Sequence, residues 1–294
     1  MELPVVAGVD GSEGSLHAVD WAAAEAERSG RRLRLVHASL WEHYEGNPPR
    51  LSAGRPSEQV FAEDLVAASE ERVHRQAPDV KVSTDVRPED PVTALLEEGT
   101  EAALVVLGPR GHGPIAGMLL GSVSLAVAAR ASCPVVVARG AEPNRTSAYG
   151  RGVLGVGETA GSTTVARFAL QQARERGCEL TAVRAWRSSS YENMPYPLPD
   201  GEQRRAYRQQ ADEYLDHVMS VTARDVPEVT VRRKLLQGAA HQALVEESAS
   251  ADLLVVGAQR RRGAVGLQLG RVDHALLHHA ACPVAVVPVV PEGH

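Results

Sequence analysis

The strongest constraint on the fold of this 294-residue chain is an internal repeat of domain size. The stretch 104–138, which contains GSVSLAVAARASCPVVVA, aligns without a gap to 253–287, which contains GRVDHALLHHAACPVAVV. Solenoid repeats have periods of about 20 to 50 residues, whereas this offset, 149 residues, is close to the size of a whole domain. We therefore predict two tandem domains, 1–140 and 150–290, joined by the polar segment 139–150.

Short apolar runs alternate with amphipathic segments in each copy. Val, Leu and Ala dominate the runs, which is typical of parallel strands that are buried on both faces. In the first copy the predicted strands are 3–9, 32–38, 80–86, 103–107 and 134–138. The alternation predicts an α/β class, with two tandem doubly wound, five-stranded parallel-sheet domains of the Rossmann-like type.

The first helical segment, SLHAVDWAAAEAERSG, places Leu16, Val19, Ala23 and Ala26 on one apolar stripe. Gly30 stands where this helix can end, because glycine adopts the left-handed backbone of a helix terminus. In a later segment Pro91 falls in the first turn, where its missing N–H costs little.

A glycine-rich loop, GPRGHGPIAGMLLGS, follows the fourth predicted strand of the first copy. Gly108 and Gly111 allow a close approach of the backbone to a ligand. Gly121 and Ser122 stand where the next helix begins, and the unpaired N–H groups of a helix start can hold phosphate oxygens. The alternative is a surface loop that only turns the chain, since glycine patterns alone are weak signals.

Asp10 and Ser12 follow the first predicted strand, in the segment VAGVDGS. Ligands of open parallel sheets bind beyond the carboxyl ends of the strands, where the strand order reverses. If the first and fourth strands are neighbours there, Asp10 and the glycine loop face one crevice.

These residues resemble the universal stress protein family. The spacing Gly108-x2-Gly111-x9-Gly121-Ser122 is similar to the family's G-x2-G-x9-G-[S/T] nucleotide motif, and the opening VVAGVDGSEGSLHAVDWA resembles the family too. The similarity covers essentially all of 1–140 and, in weaker form, 150–290. It implies strand order 3-2-1-4-5 and an adenine nucleotide site, usually for ATP, with Mg²⁺ accompanying the phosphates.

The resemblance also implies which residues form this site. The acidic residue after the first strand, Asp10, lies near the ribose and phosphates. Main-chain atoms at Ala38, or at its neighbour His37, meet the adenine. The pocket walls and the glycine loop supply the other implied contacts, Gly8, Val9, Leu107, Gly108, Gly111, Gly121, Ser122 and Val123.

The second copy departs from this pattern. Gly111 is matched by Arg260, Ser122 by Arg271 and Asp10 by Gly157, while Gly257 and Gly270 persist. A side chain at 260 fills space that glycine leaves open, but the added arginines can hold another anion. Two interpretations follow, a degenerate site with a structural role or a site with altered ligand preference.

The function predicted from these features is that of an ATP-binding regulatory or stress-response protein, with the nucleotide as ligand. One alternative is a slow metal-dependent ATP hydrolase or nucleotidyl transferase that uses Asp10, and another is a dimeric scaffold that binds no nucleotide. Binding is favoured because no general base or second carboxylate visibly converges on the loop. No metal site is predicted, since His274 and His278 lack the Glu of an HExxH pattern.

Net charge and hydropathy limit the kinds of partner and the cellular location that we expect for this protein. A formal net charge of −6 argues against a nucleic-acid partner. The sequence shows neither a signal-peptide pattern nor an apolar run that could span a bilayer, so we expect a cytoplasmic protein without membrane contact. Apolar strands at 134–138 and 283–287 would form sheet edges, and we predict that they pair into an internal pseudo-dimer, which is compatible with a homodimer of the whole chain.

Overall fold

The computed structural model describes residues 2–40, 57–109, 120–158, 161–186, 201–259 and 269–289. The chain divides into two units, Met1–Arg139 and Gly140–His294. Each unit is an α/β domain, as predicted. The predicted pairing of 134–138 with 283–287 concerns the relation between the units and stays a prediction.

The first unit contains a five-stranded parallel sheet. Its strands are β1 (Val5–Gly8), β2 (Leu33–Ala38), β3 (Val82–Arg87), β4 (Leu104–Leu107) and β5 (Val135–Val137). Strand β1 pairs with β2 and β4, β2 also pairs with β3, and β4 with β5, all in parallel. The resulting order 3-2-1-4-5 confirms the prediction. All four residues of β4 are buried, as expected for a central strand covered on both faces.

Four described helices connect these strands: α1 (Glu13–Ser29), α2 (Ser57–Gln76), α3 (Pro91–Glu98) and α4 (Ser122–Arg130). The predicted stripe of α1 is buried at Val19, Ala23 and Ala26, while Leu16 is half-buried. Gly30 ends α1 in the left-handed conformation, with φ of 67°, as predicted. Pro91 opens α3, where the Asp90 side chain caps the helix by accepting a hydrogen bond of 2.9 Å from the Thr93 N–H.

The second unit repeats the same sheet. Its strands are β6 (Arg151–Gly155), β7 (Glu179–Trp186), β8 (Val231–Gln237), β9 (Leu253–Gln259) and β10 (Val284–Val289). Strand β6 pairs with β7 and β9, β7 also pairs with β8, and β9 with β10, again in parallel. Its described helices are α5 (Glu142–Arg145), α6 (Ser162–Arg176), α7 (Gly201–Thr222), α8 (Ala240–Ser248) and α9 (Arg271–His279).

The segment 139–150 was predicted to be a linker, and all of it after Arg139 belongs to the second unit and is anchored there. The side chain of Asn144 in α5 is only 3% exposed and donates to the Ala251 carbonyl at 2.8 Å. The buried Asp252 carboxylate accepts hydrogen bonds from the N–H groups of Tyr149 and Arg151, at 2.9 and 2.8 Å. These hydrogen bonds satisfy backbone and side-chain amide groups that would be hydrated in an exposed linker.

Across the described part of the chain, none of the helices combines the length and the apolar character needed to cross a membrane.

Candidate functional site

The carboxyl ends of β1 and β4 meet at one edge of the first sheet. The two strands pair directly, with Ala7 opposite Val106. Asp10 follows β1 and Gly108 follows β4, so both lie where the chain leaves the sheet. The predicted adjacency of these strands is therefore confirmed.

Asp10 is fixed by the first turn of α1. Its Oδ1 accepts hydrogen bonds from the backbone N–H and the hydroxyl of Ser12, at 3.0 and 2.6 Å. The Ser12 hydroxyl caps α1 by accepting from the Ser15 N–H at 3.1 Å. Gly11 makes the turn possible with φ of 80°, which strains other residues. A half-buried carboxylate is thus held at the carboxyl edge.

Gly108 is glycine because α1 lies directly against it. A Cβ built there would stand 2.5 Å from the carbonyl carbon of Gly14 and 2.8 Å from the nitrogen of Ser15. The hydroxyl of Ser124 donates to the Gly108 carbonyl at 2.7 Å and so ties β4 to the first turn of α4. The space that glycine leaves here is filled by backbone.

The start of α4 has no side-chain cap. Its N-cap residue, Gly121, makes no capping side-chain hydrogen bond, while its own N–H donates to the Pro109 carbonyl at 2.7 Å. Ser122 is exposed and Val123 half-buried at this helix start. The N–H groups of a first helical turn and the positive end of the dipole suit an anion. Predicted Gly111 lies in 110–119, outside the described residues.

The end of β2 contributes a buried histidine. Nδ1 of His37 donates to the carbonyl of Val9 at 2.7 Å, because a carbonyl can only accept. Ala38, the last residue of β2, is half-buried beside it and pairs with Arg87 of β3. This bond links the end of β2 to the strand end that precedes Asp10.

Three of the implied wall residues lie in the packed layer below the edge. Val9 and Leu107 are 4% and 3% exposed. A Cβ on Gly8 would stand 2.6 Å from Leu107 Cδ2 and 3.3 Å from Leu95 Cδ2, so the absence of a side chain at Gly8 makes room for these leucines. Gly8 and Leu107 therefore pack against each other under the edge.

The corresponding edge of the second unit opens into a crevice of about 760 Å³. Gly157 stands there in place of Asp10, and its carbonyl accepts a hydrogen bond of 2.6 Å from the Ser162 hydroxyl. The Tyr214 hydroxyl donates to Ser162 Oγ at 2.9 Å.

Arg184 occupies in this unit the position that His37 has in the first. Nδ1 of His37 donates to Val9, and Nη1 of Arg184 likewise donates to the Val156 carbonyl, at 3.1 Å. Arg184 is 7% exposed, pairs through Nη2 with Glu158, and stacks its guanidinium 4.7 Å from the ring centre of Tyr214.

Asp273 replaces Ser124 in the first turn of the corresponding helix, α9. Its Oδ2 accepts a hydrogen bond of 3.1 Å from the Gly270 N–H, which is one half of a capping box, since Gly270 has no side chain to complete it. Asp273 is 7% exposed. Burial raises the pKa of this carboxyl to about 6, and the Gly270 N–H opposes the rise.

Comparison with known proteins identifies the family. The sequence model of the universal stress protein family matches residues 2–139 and again 148–288, nearly the whole chain. The chain belongs to the universal stress protein family. It is 31% identical over 300 residues to a Mycobacterium tuberculosis universal stress protein, covering 96% of both chains. A second M. tuberculosis universal stress protein is 28% identical over 290 residues, covering 97% of this chain and 96% of the relative.

A solved structure shows the same fold over both domains. The crystal structure of a universal stress protein from Archaeoglobus fulgidus superimposes with a TM-score of 0.65. The match covers 97% of this chain and 98% of that one at 16% identity. The tandem arrangement of this universal stress protein is thus shared with a protein of very different sequence.

Several residues that shape the two edges of this universal stress protein were missed from the sequence. Ser15 and Ser124 fix the first edge, and Arg184, Tyr214 and Asp273 shape the second. A signal existed for Asp273 and Arg184. The repeat alignment at its offset of 149 residues pairs Ser124 with Asp273. The alignment that pairs Asp10 with Gly157, at an offset of 147 residues, pairs His37 with Arg184. Tyr214 comes from a distant helix and had no such signal. Within the described residues, no group of three or more His, Cys, Asp or Glu side chains could hold a metal ion.

Proposed function

We propose that the first unit binds an adenine nucleotide, with ATP as the ligand, and that the protein acts as a nucleotide-responsive regulator. The observation that carries this proposal is the uncapped start of α4 beside Asp10 and Gly108 at one carboxyl edge. Residues of the family's nucleotide motif stand at that edge, at Gly108, Gly121 and Ser122.

Phosphate oxygens would be held by the helix start. The free N–H groups of the first turn and the Ser122 hydroxyl supply donors, and the helix dipole favours negative charge there. The contrast with the second unit supports this assignment, because Asp273 places a buried carboxylate in the first turn of α9, where it accepts from the Gly270 N–H. An anion at α4 would meet no such charge from the corresponding residue, Ser124.

The other parts of the nucleotide would extend toward β1 and β2. Asp10 can accept from the ribose hydroxyls, and the backbone at Ala38 can pair with the adenine edge. Asp10 is a single carboxylate, which fits Mg²⁺, because that ion is commonly held by one or two carboxylates together with substrate phosphates and water. When bound, the ion would neutralise part of the triphosphate charge.

The test is calorimetric titration of the full chain with Mg-ATP, followed by a phosphate-release assay. We expect binding without turnover. Ser122→Asp places a carboxylate at the exposed start of α4 and should weaken ATP binding by about tenfold or more, equivalent to at least about 1.4 kcal/mol. The matched control is Arg271→Asp, which places the same residue at the corresponding start of α9.

Each other outcome contradicts a stated part of the proposal. If the titration with ATP produces no heat of binding, the alternative of a scaffold that binds no nucleotide is favoured. Phosphate release that disappears in Asp10→Asn would establish the hydrolase alternative. Equal ATP affinity in Ser122→Asp and in the unmodified chain would show that the phosphates do not bind at the start of α4.

A further inference from the structure

A charged groove in the first unit reaches the edge of the sheet at which the strands begin. Its volume is about 300 Å³, at the lower end of the range of small-molecule sites. Pro4, Arg32 and Glu101 line it, and they stand shortly before β1, β2 and β4 begin. Because parallel strands all begin at one edge, this end of the groove lies opposite the carboxyl edge that carries Asp10 and Gly108.

The two arginines inside the groove, Arg34 and Arg87, are already paired with carboxylates. Nη2 of Arg34 donates to Asp85 at 2.8 Å and to Glu98 at 3.1 Å. Nη2 of Arg87 donates to Glu97 at 2.5 Å, and its Nη1 donates to Glu98 at 3.4 Å. The carboxylates outnumber these arginines, so the interior of the groove favours a cation over an anion.

Arg32 and Glu101 supply the unpaired charges of this groove. Both side chains are exposed, and within the described residues neither of them has a hydrogen bond or an ion pair. They carry opposite charges but do not pair with each other. A ligand with a cation at one end and an anion at the other can therefore contact both without displacing an existing bond.

The second unit shows which cation suits this place. Arg151 corresponds there to Pro4, because β6 pairs with β9 in the same register as β1 with β4. Nη1 of Arg151 donates to Ser250 Oγ at 2.8 Å, and its Nε donates to Thr181 Oγ1 at 3.0 Å. Its Nη2 pairs with the carboxylate of Glu247. A guanidinium group thus lies where the first unit has only a proline.

The first unit keeps acceptors for such a group. Glu98 and Glu101 correspond to Glu247 and Ser250, at the offset of 149 residues. Because Arg34 already binds Glu98, the acceptor that stays open is Glu101. A carboxylate can accept two parallel hydrogen bonds from a guanidinium, so Glu101 is a stronger acceptor than the serine hydroxyl of the second unit.

We propose that this groove binds a small guanidino acid, a molecule with a guanidinium at one end and a carboxylate at the other. Glu101 accepts from the guanidinium of the ligand, and Arg32 donates to its carboxylate. Pro4 leaves the room that Arg151 fills in the second unit. The site lies at the opposite edge from the proposed nucleotide site and does not depend on nucleotide binding.

The experiment is an amide NMR titration of the isotope-labelled full chain with L-arginine, with and without saturating Mg-ATP. Since both contacts are exposed, we expect a dissociation constant on the order of 1 mM, unchanged by Mg-ATP, with shifts at Arg32, Thr100 and Glu101. Citrulline lacks the charged guanidinium and agmatine lacks the carboxylate, so each should bind about fivefold more weakly. If Mg-ATP causes no shifts but arginine does, the proposed function fails and this inference stands.

Three variants test the assigned contacts. Arg32→Gln and Glu101→Gln each remove one charge from an exposed position and should each weaken arginine binding by about fivefold, without a change in thermal stability. Pro4→Arg introduces the residue of the second unit and should block the groove. The control is Glu142→Gln, a loss of charge at an exposed position of α5, which should bind arginine like the unmodified chain.

Four results would overturn the inference. One is the absence of shifts at Arg32, Thr100 and Glu101, and another is equal affinity for arginine and citrulline. The third is unchanged arginine affinity in both Arg32→Gln and Glu101→Gln, which tests the contacts even if Pro4→Arg does not fold. The fourth is competition between arginine and Mg-ATP, which would place the ligand at the carboxyl edge.

Discussion

At the residue scale, one side chain separates the two helix starts that face the carboxyl edges. In the first unit Ser124 turns its hydroxyl to the Gly108 carbonyl, and this bond leaves the first-turn N–H groups of α4 untouched. In the second unit Asp273 turns its carboxylate to the Gly270 N–H. Neither N-cap residue, Gly121 or Gly270, makes a side-chain cap, but the second helix start carries a buried negative charge, so we expect the two edges to hold different ligands.

The raised pKa of Asp273 predicts a pH-dependent stability difference. The pKa is 3.8 for the free carboxyl and about 6 in the folded protein, so folding favours the protonated form. This contribution to stability is fully present below pH 3.8 and is lost as the pH rises through 6. Asp273→Asn does not titrate there. Its free energy of unfolding, relative to the unmodified chain, should therefore rise by on the order of 2 to 3 kcal/mol between pH 4 and pH 7.5.

Urea unfolding at a series of pH values measures this difference directly. Glu142→Gln makes the same charge change at an exposed position of α5 and serves as the control. A constant difference between Asp273→Asn and the unmodified chain across this pH range would show that the buried carboxyl is not the titrating group.

Gly108 and its counterpart Gly257 offer a matched pair of substitutions. A Cβ at 108 would meet the backbone of Gly14 at 2.5 Å, which cannot move without displacing α1. At 257 the nearest atom is a side-chain methyl of Val165 at 2.7 Å, which has more freedom to shift. We expect Gly108→Ala to lower the free energy of unfolding by about 3 kcal/mol and Gly257→Ala by about 1 kcal/mol, measured by urea unfolding. Equal losses of unfolding free energy in the two variants would mean that the α1 backbone is displaced as easily as a valine side chain.

At the scale of elements, the sequence predicted the strands of the first unit well because their apolar runs reflect burial on both faces. The runs 3–9 and 103–107 correspond to β1 and β4, although β1 is shorter because pairing ends at Gly8. The end of α1 was predictable because Gly30 has a local signature. The segment around Asn144 was not predicted, since its polar composition is that of a loop and its partners lie about a hundred residues away in sequence.

Helix α5 provides a test of that anchored segment. Asn144→Ala leaves the carbonyls of Ser248 and Ala251 without the amide donor, and the loss of a buried hydrogen bond typically costs about 1 to 3 kcal/mol. Glu142→Ala, two residues away and exposed, should change the unfolding free energy by less than about 0.5 kcal/mol. Thermal unfolding of both variants makes the comparison. If they are equally stable, residues 140–150 act as the simple linker that their composition suggests.

For the whole molecule, duplication allows two edges of one fold to diverge, since neither unit needs the other's ligand chemistry. A ligand that binds the folded state slows local opening around its own site. Saturating Mg-ATP should therefore slow amide hydrogen exchange in the first turns of α1 and α4 and leave it unchanged in those of α6 and α9. Exchange measured by mass spectrometry, with and without Mg-ATP, checks this assignment. Protection of both units by ATP would show that the exchange of Ser124 for Asp273 has not separated their ligands.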